Sequence, residues 1–183
     1  MNFTNTLKNI KITINNIETN KINLLIKKIL KTNQNNKKVI IAGNGGSSAT
    51  ASHVAVDLTK NAKIKCINFN EYDLITCFAN DFGYENWLSK AIEFYAEKGD
   101  LLILLSCSGN SKNLVNSIKV SNKMGVEIAT LTGCDKNNSL KLKNSGINIW
   151  VKSSDYNVIE ANHHIILLSI VNELIEFKNF KIN

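Results

Sequence analysis

The sequence predicts an α/β protein built on a doubly wound parallel sheet. Three observations carry that reading. Short apolar runs alternate with segments of helical period along residues 38–178. The run Leu101–Leu105 is apolar at every position, as a strand covered on both faces must be. Two Gly/Ser-rich loops, Gly43–Ser48 and Ser106–Ser111, each follow such a run and open a helical pattern. Open α/β sheets bind their ligands at such C-terminal strand ends.

Along the chain, residues 3–32 place Leu7, Ile10, Ile14, Ile17, Leu24, Leu25 and Ile29 at helical spacing, with Asn15–Asn16 as a break. One long helix or two shorter ones fit. The polar stretch Thr32–Lys38 leads into Val39-Ile40-Ile41-Ala42, a short buried strand. Strands are expected at 38–42, 64–68, 100–106, 126–132 and 147–152. Helices are expected at 47–60, 71–79, 84–97 and 111–124, with a short one near 137–143 and a final one over 156–178. There is no internal repeat, no low-complexity tract and no Pro. The organisation expected is one domain over 1–183, with the N-terminal segment 3–32 packed on the α/β core 38–178 or on a partner subunit.

Hydrophobic content of 44% and charged content of 20% are those of an ordinary soluble globule. Apolar runs such as Leu101–Leu105 and Ile165–Leu168 are too short to cross a bilayer. The start MNFTNTLKNIK has no apolar signal region. A cytoplasmic location without membrane association is expected. Cys66, Cys77, Cys107 and Cys134 are scattered with no C-x-x-C pair, so they read as reduced thiols. The net charge of +7 invites a nucleic-acid reading, but all 22 basic residues are Lys. Without Arg, the usual bidentate reader of guanine and phosphate, sequence-specific DNA binding is not expected. Solvated lysines account for the charge.

Gly43-Asn44-Gly45-Gly46-Ser47-Ser48 lets the backbone approach a ligand closely and presents helix-start amides. It misses the dinucleotide fingerprint, because Ser48 replaces the last Gly and no acidic residue ends the next strand. It also lacks the Lys-Ser/Thr of a P-loop. A purely structural glycine turn remains open. Ser106-Cys107-Ser108-Gly109-Asn110-Ser111 offers three hydroxyls and helix amides, enough to surround a phosphate with neutral donors. A Ser-rich helix cap is the alternative.

Taken together, GNGGSS, Ala79-Asn80-Asp81-Phe82-Gly83, SCSGNS and Leu131-Thr132-Gly133 resemble, in order and spacing, the sugar isomerase (SIS) family, and within it the phosphoheptose isomerase branch. The resemblance runs from about residue 38 to 176. It implies a flavodoxin-like, five-stranded parallel sheet and a homotetramer with active sites at subunit interfaces. It assigns sugar contacts to Asn44, Gly45, Gly46, Asn80 and Asp81, and the phosphate to Ser106, Ser108, Ser111 and the backbone of Cys107. His53 matches a zinc ligand of the family. The implied chemistry is an aldose–ketose shift through an enediol, sedoheptulose 7-phosphate to D-glycero-D-manno-heptose 7-phosphate, for surface polysaccharide or lipopolysaccharide precursors.

The catalytic positions depart from the family pattern. The first-helix Glu is Asp57, shorter by about 1.5 Å of reach, one turn past His53 on the same face. It is expected to aim at the sugar as the base. On the last helix Glu160 matches a Gln/Glu position, whereas the family His eight residues later is Leu168. His164 lies about 40° around the helix from Glu160, between it and Leu168. His163 matches a second family His. The expected catalytic set is therefore Asp57, Glu160 and His164. His53, Asp57 and Glu160 form the expected zinc set, Glu160 also touches substrate, and no nucleotide cofactor is expected. One of the two adjacent histidines being a satisfied core residue is the plainer alternative. For the whole chain, the alternative is a non-catalytic SIS protein that binds a sugar phosphate or a protein, as the DnaA initiator-associating proteins do.

Overall fold

In the computed structural model, which describes residues 3–144 and 146–182, the expected apolar runs pair into one parallel sheet. Its strands are β1 (Val39–Gly43), β2 (Cys66–Ile67), β3 (Leu101–Ser106), β4 (Glu127–Thr132) and β5 (Ile147–Trp150), in the order β2-β1-β3-β4-β5. The helices are α1 (Phe3–Asn15), α2 (Thr19–Gln34), α3 (Gly46–Lys60), α4 (Tyr72–Phe82), α5 (Trp87–Tyr95), α6 (Lys112–Met124), α7 (Ser139–Lys143) and α8 (Tyr156–Ile182).

The continuous apolarity of β3 has a direct cause. Leu101, Ile103 and Leu105 face one core with Leu25, Ile29, Val54, Leu58, Ile166, Leu167 and Ile170. Leu102 and Leu104 face a second core with Trp87, Leu88, Ile92, Leu114 and Ile118. One layer thus holds α1, α2, α3 and α8, and the other holds α5 and α6. Tyr156–Phe177 is long and apolar enough to span a membrane by length and composition, but half of it is buried. Ile159, Ile166, Leu167, Ile170, Val171 and Leu174 are side chains of the first core, which accounts for its apolar character.

Three expected boundaries shift. The strand foreseen at 64–68 contracts to Cys66–Ile67, because this edge strand pairs only with Val39 and Ile40. The helix foreseen at 71–79 runs on to Phe82 and stops at Gly83, whose φ of +83° breaks it. The next helix begins only at Trp87, because Asn86 turns back to bond the Gly83 carbonyl. The N-terminal segment forms two helices, broken after Asn15 where the asparagine pair suggested. The starts of β1 and β3 are tied by Asp100, which is fully buried. It accepts from the Lys38 and Glu97 amides at 3.0 and 2.8 Å and pairs with Lys38 Nζ at 2.7 Å.

Candidate active site at the switch point of the sheet

Gly43 lies beside Leu105 in the register of β1 and β3, so the loops at 43–48 and 106–111 leave the sheet side by side. The chain proceeds to β2 on one flank and β4 on the other, which opens a crevice between the loops. Both α3 and α6 start there. Neither start is capped by a side chain, so their first amides and the positive ends of their dipoles are left to a ligand. Ser111 does hold the cap position of α6. Its hydroxyl meets Ser106 Oγ at 3.3 Å instead of capping.

The two loops brace each other. The amides of Asn44 and Asn113 bond reciprocally at 3.0 and 2.9 Å, and the Tyr84 hydroxyl donates to Asn44 Oδ1 at 3.2 Å. Gly109, at φ +67°, turns the second loop back so that its amide donates to Ser106 Oγ at 3.1 Å. A side chain at Gly109 would collide with buried Asn138. Ser106, Cys107, Ser108 and Ser111 then line, with Asn44, Ser47 and Glu160, a cavity of about 160 Å³. No lysine lines it. Burial, reinforced by the Glu160 carboxylate, pushes the Cys107 thiol up to about 12. Cys107 is therefore a neutral thiol whose contribution here is its backbone.

A second hollow of about 580 Å³ continues past Glu160 and is walled by Gly46, Thr50, His53, Glu160 and His164. Glu160 lines both spaces. Its carboxylate rests on Gly46 so closely that a Cβ at Gly46 would overlap it. Beyond it, His164 Nδ1 meets Thr50 Oγ1 at 3.2 Å, and His164 Nε2 meets His53 Nδ1 at 3.1 Å. His53 Nε2 reaches Asp57 Oδ2 at 3.3 Å. A larger groove of about 740 Å³ between α5 and α6 brings no strand-end loop to its wall, and its Lys90 is already paired with Glu93.

Of the residues expected at the site, Asn44, Gly46, Ser106, Cys107, Ser108, Ser111, Glu160, His164 and His53 line these two spaces, and Gly45 stands at the α3 start between them. Three expectations change. Asp57 does not line either space; its carboxylate is engaged by His53 and, at 3.1 Å, by Asn61. Asn80 and Asp81 are exposed on α4 and bond to each other at 2.9 Å; Tyr84, further along, reaches the first loop. The expected zinc donors do not converge. Among the described residues no three His, Cys, Asp or Glu side chains are arranged around a common point. His53 and Asp57 face each other, whereas the Glu160 carboxylate rests against Gly46.

His163 is the core histidine of the pair. It is 1% exposed, and burial lowers it to about 4, with hydrogen bonding to the Thr132 backbone acting the other way. Residues the sequence reading missed are Thr50, Asn113 and Tyr84. Thr50 carried a signal, lying three residues before His53 on the same helix face. Asn113 and Tyr84 carried none, since they matter only through the contact between the two loops.

A family model described as "SIS domain" matches residues 2–133. A phosphoheptose isomerase from Campylobacter concisus is 36% identical over 148 residues, covering 78% of this chain and 77% of the relative. One from Buchnera aphidicola is 36% identical over 154 residues, covering 81% and 78%. In structure, the phosphoheptose isomerase of Francisella tularensis superposes with a TM-score of 0.88 at 21% identity, covering 95% and 94% of the two chains. That of Neisseria gonorrhoeae gives 0.87 at 22% identity and 94% of both.

Proposed function

Because the chain belongs to the SIS domain family, we propose that it is a sugar-phosphate isomerase of the phosphoheptose type. It interconverts sedoheptulose 7-phosphate and D-glycero-D-manno-heptose 7-phosphate through an enediol. The observation that carries this reading is the position of Glu160, shared by a small cavity of neutral donors and a larger one with acid and base groups. The 160 Å³ space suits a phosphate held by Ser106, Ser108, Ser111 and helix-start amides. The 580 Å³ space is of ordinary ligand size and takes the carbon chain. The reacting carbons then lie beside Glu160, with the imidazoles opposite.

Glu160 removes the proton next to the carbonyl and returns it to the neighbouring carbon, while the His164 side supplies the acid that neutralises the enediolate oxygen. This assignment moves the base from Asp57 to Glu160. Zinc enters the reading only if another copy of the chain adds a donor; no step here runs through it. Turnover measured with chelator and with added zinc tests that addition. A homo-oligomer belongs to the same proposal, supported by the exposed Leu7, Ile12 and Leu24 on the N-terminal helices. So does a cytoplasmic location, where the phosphorylated substrate would be made.

Incubation with sedoheptulose 7-phosphate, followed by proton NMR, tests the function. Appearance of aldose anomeric signals supports it. Tight binding without turnover would overturn it in favour of a sugar-phosphate-binding SIS protein.

A further inference from the structure

Asn44 borders the smaller cavity and not the larger, and the hydrogen bonds of its side chain can be counted. A carboxamide has two acceptor sites on its oxygen and two N–H donors. Asn113 Nδ2 and the Tyr84 hydroxyl fill both sites on Asn44 Oδ1, at 2.9 and 3.2 Å. Asn113 Oδ1 takes one of the two N–H groups, at 3.0 Å. A single N–H remains. Any polar contact that this side chain gives a ligand is therefore a donated proton, which is what a phosphate oxygen needs.

The asparagine pair alone does not set this polarity. Two carboxamides joined reciprocally keep both bonds if both turn over, and Asn44 would then offer its oxygen to the cavity. Tyr84 breaks that symmetry, because a phenol donates a proton more readily than it accepts one. Its own placement does not depend on Asn44. It follows Gly83, whose φ of +83° ends α4. The two residues after it are held by Asn116 Nδ2, which reaches the Glu85 carbonyl at 3.0 Å and Asn86 Oδ1 at 3.3 Å. Asn116 stands one turn past buried Asn113 on α6, so one helix carries both arms that meet at Asn44.

We infer that Tyr84 is a positioning residue for the phosphate: through Asn44 it keeps a donor, and not a carbonyl oxygen, turned to the phosphate seat, an assignment that rests on the reading of that seat above. Tyr84 is exposed and lines neither cavity, so it acts without touching substrate. The effect is on specificity. A carbonyl oxygen in that place would repel an anionic oxygen, whereas the N–H adds a neutral donor to those of Ser106, Ser108 and Ser111.

Tyr84→Phe keeps the ring and removes only the hydroxyl. Calorimetric titration of the full-length protein with inorganic phosphate should show Kd raised about 5-fold, the effect of one neutral hydrogen bond. Turnover of sedoheptulose 7-phosphate should show KM raised by a similar factor with kcat within about twofold, since the carbon chain occupies the cavity that Asn44 does not border. A merely structural loosening would lower kcat as well. Asn44→Ala should weaken phosphate binding at least as much. Adding Tyr84→Phe to it should change nothing further, because Tyr84 acts only through Asn44. Unchanged phosphate affinity in Tyr84→Phe, a fall in kcat in place of the rise in KM, or an undiminished effect in the Asn44→Ala background would overturn this role and leave the isomerase reading standing. A wild type that binds neither inorganic phosphate nor sedoheptulose 7-phosphate would overturn the phosphate seat and this role with it.

Discussion

Gly46→Ala separates the roles of the two cavities with a single methyl group. Gly46 opens α3 and is not among the glycines of positive φ. On backbone grounds alanine should stabilise the fold by about 0.4–1 kcal/mol, through the unfolded chain. The new Cβ would, however, overlap the Glu160 carboxylate. Ordinary van der Waals separation requires that carboxylate to withdraw by about 1 Å or more. Misplacement of a reacting group on that scale costs about 10²-fold in rate. The phosphate donors at Ser106–Ser111 lie on the other loop and stay in place. Thermal unfolding, phosphate-ester binding by calorimetry and isomerase turnover should therefore diverge: stability equal or higher, binding within a few-fold, and kcat about 10²-fold lower. Wild-type kcat in a folded Gly46→Ala protein would refute the placement of Glu160 at the reacting carbons.

Replacing both Ser108 and Ser111 by Ala should weaken sugar-phosphate binding. Each lost hydrogen bond to a charged oxygen costs about 1.5–3 kcal/mol, or about 10- to 150-fold, and calorimetric affinity that survives the double change would put the phosphate elsewhere. His163 should make the fold acid-sensitive: its folded-state value of about 4 lies below the ordinary 6.5, so the unfolded chain binds the extra proton first. Its effect is absent above about pH 6.5, grows as the pH falls, and levels off below about pH 4 at a loss of about 3 kcal/mol. Urea titrations across that window should show the loss in the wild type and a smaller slope in His163→Leu; equal slopes would contradict it. Light scattering at micromolar concentration should show an oligomer, a tetramer on the family resemblance, and a monomer would contradict the role given to Leu7, Ile12 and Leu24.

Much of the fold was legible in the sequence because its signals are local. The apolar run Leu101–Leu105 reports burial on both faces, and the strand-loop-helix order around Gly43–Ser48 and Ser106–Ser111 reports a parallel sheet. The short edge strand at Cys66–Ile67 was overdrawn, since the apolar run there cannot reveal that only two residues find a partner. At the site, the loop residues were readable for the same local reason. The role of Asp57 was not: helical spacing places it one turn from His53, but only the approach of α8 shows that His53 and His164 stand between it and the cavity. His163 and His164 are adjacent in sequence and opposite in fate. One is sealed in the core, while the other has both nitrogens engaged beside the cavity. That outcome depends on the rotation of α8 against the sheet, which no window of sequence records.

In the proposed reaction Glu160 moves a carbon-bound proton of a phosphorylated sugar seated between the two loops. Incubating the protein with sedoheptulose 7-phosphate in deuterated water and recording proton NMR tests it most directly. The expected result is an aldose product carrying solvent deuterium at C2, with exchange falling about 10²–10⁴-fold in Glu160→Gln while sugar-phosphate binding persists. No exchange above background in the wild type, or equal exchange in Glu160→Gln, would contradict it.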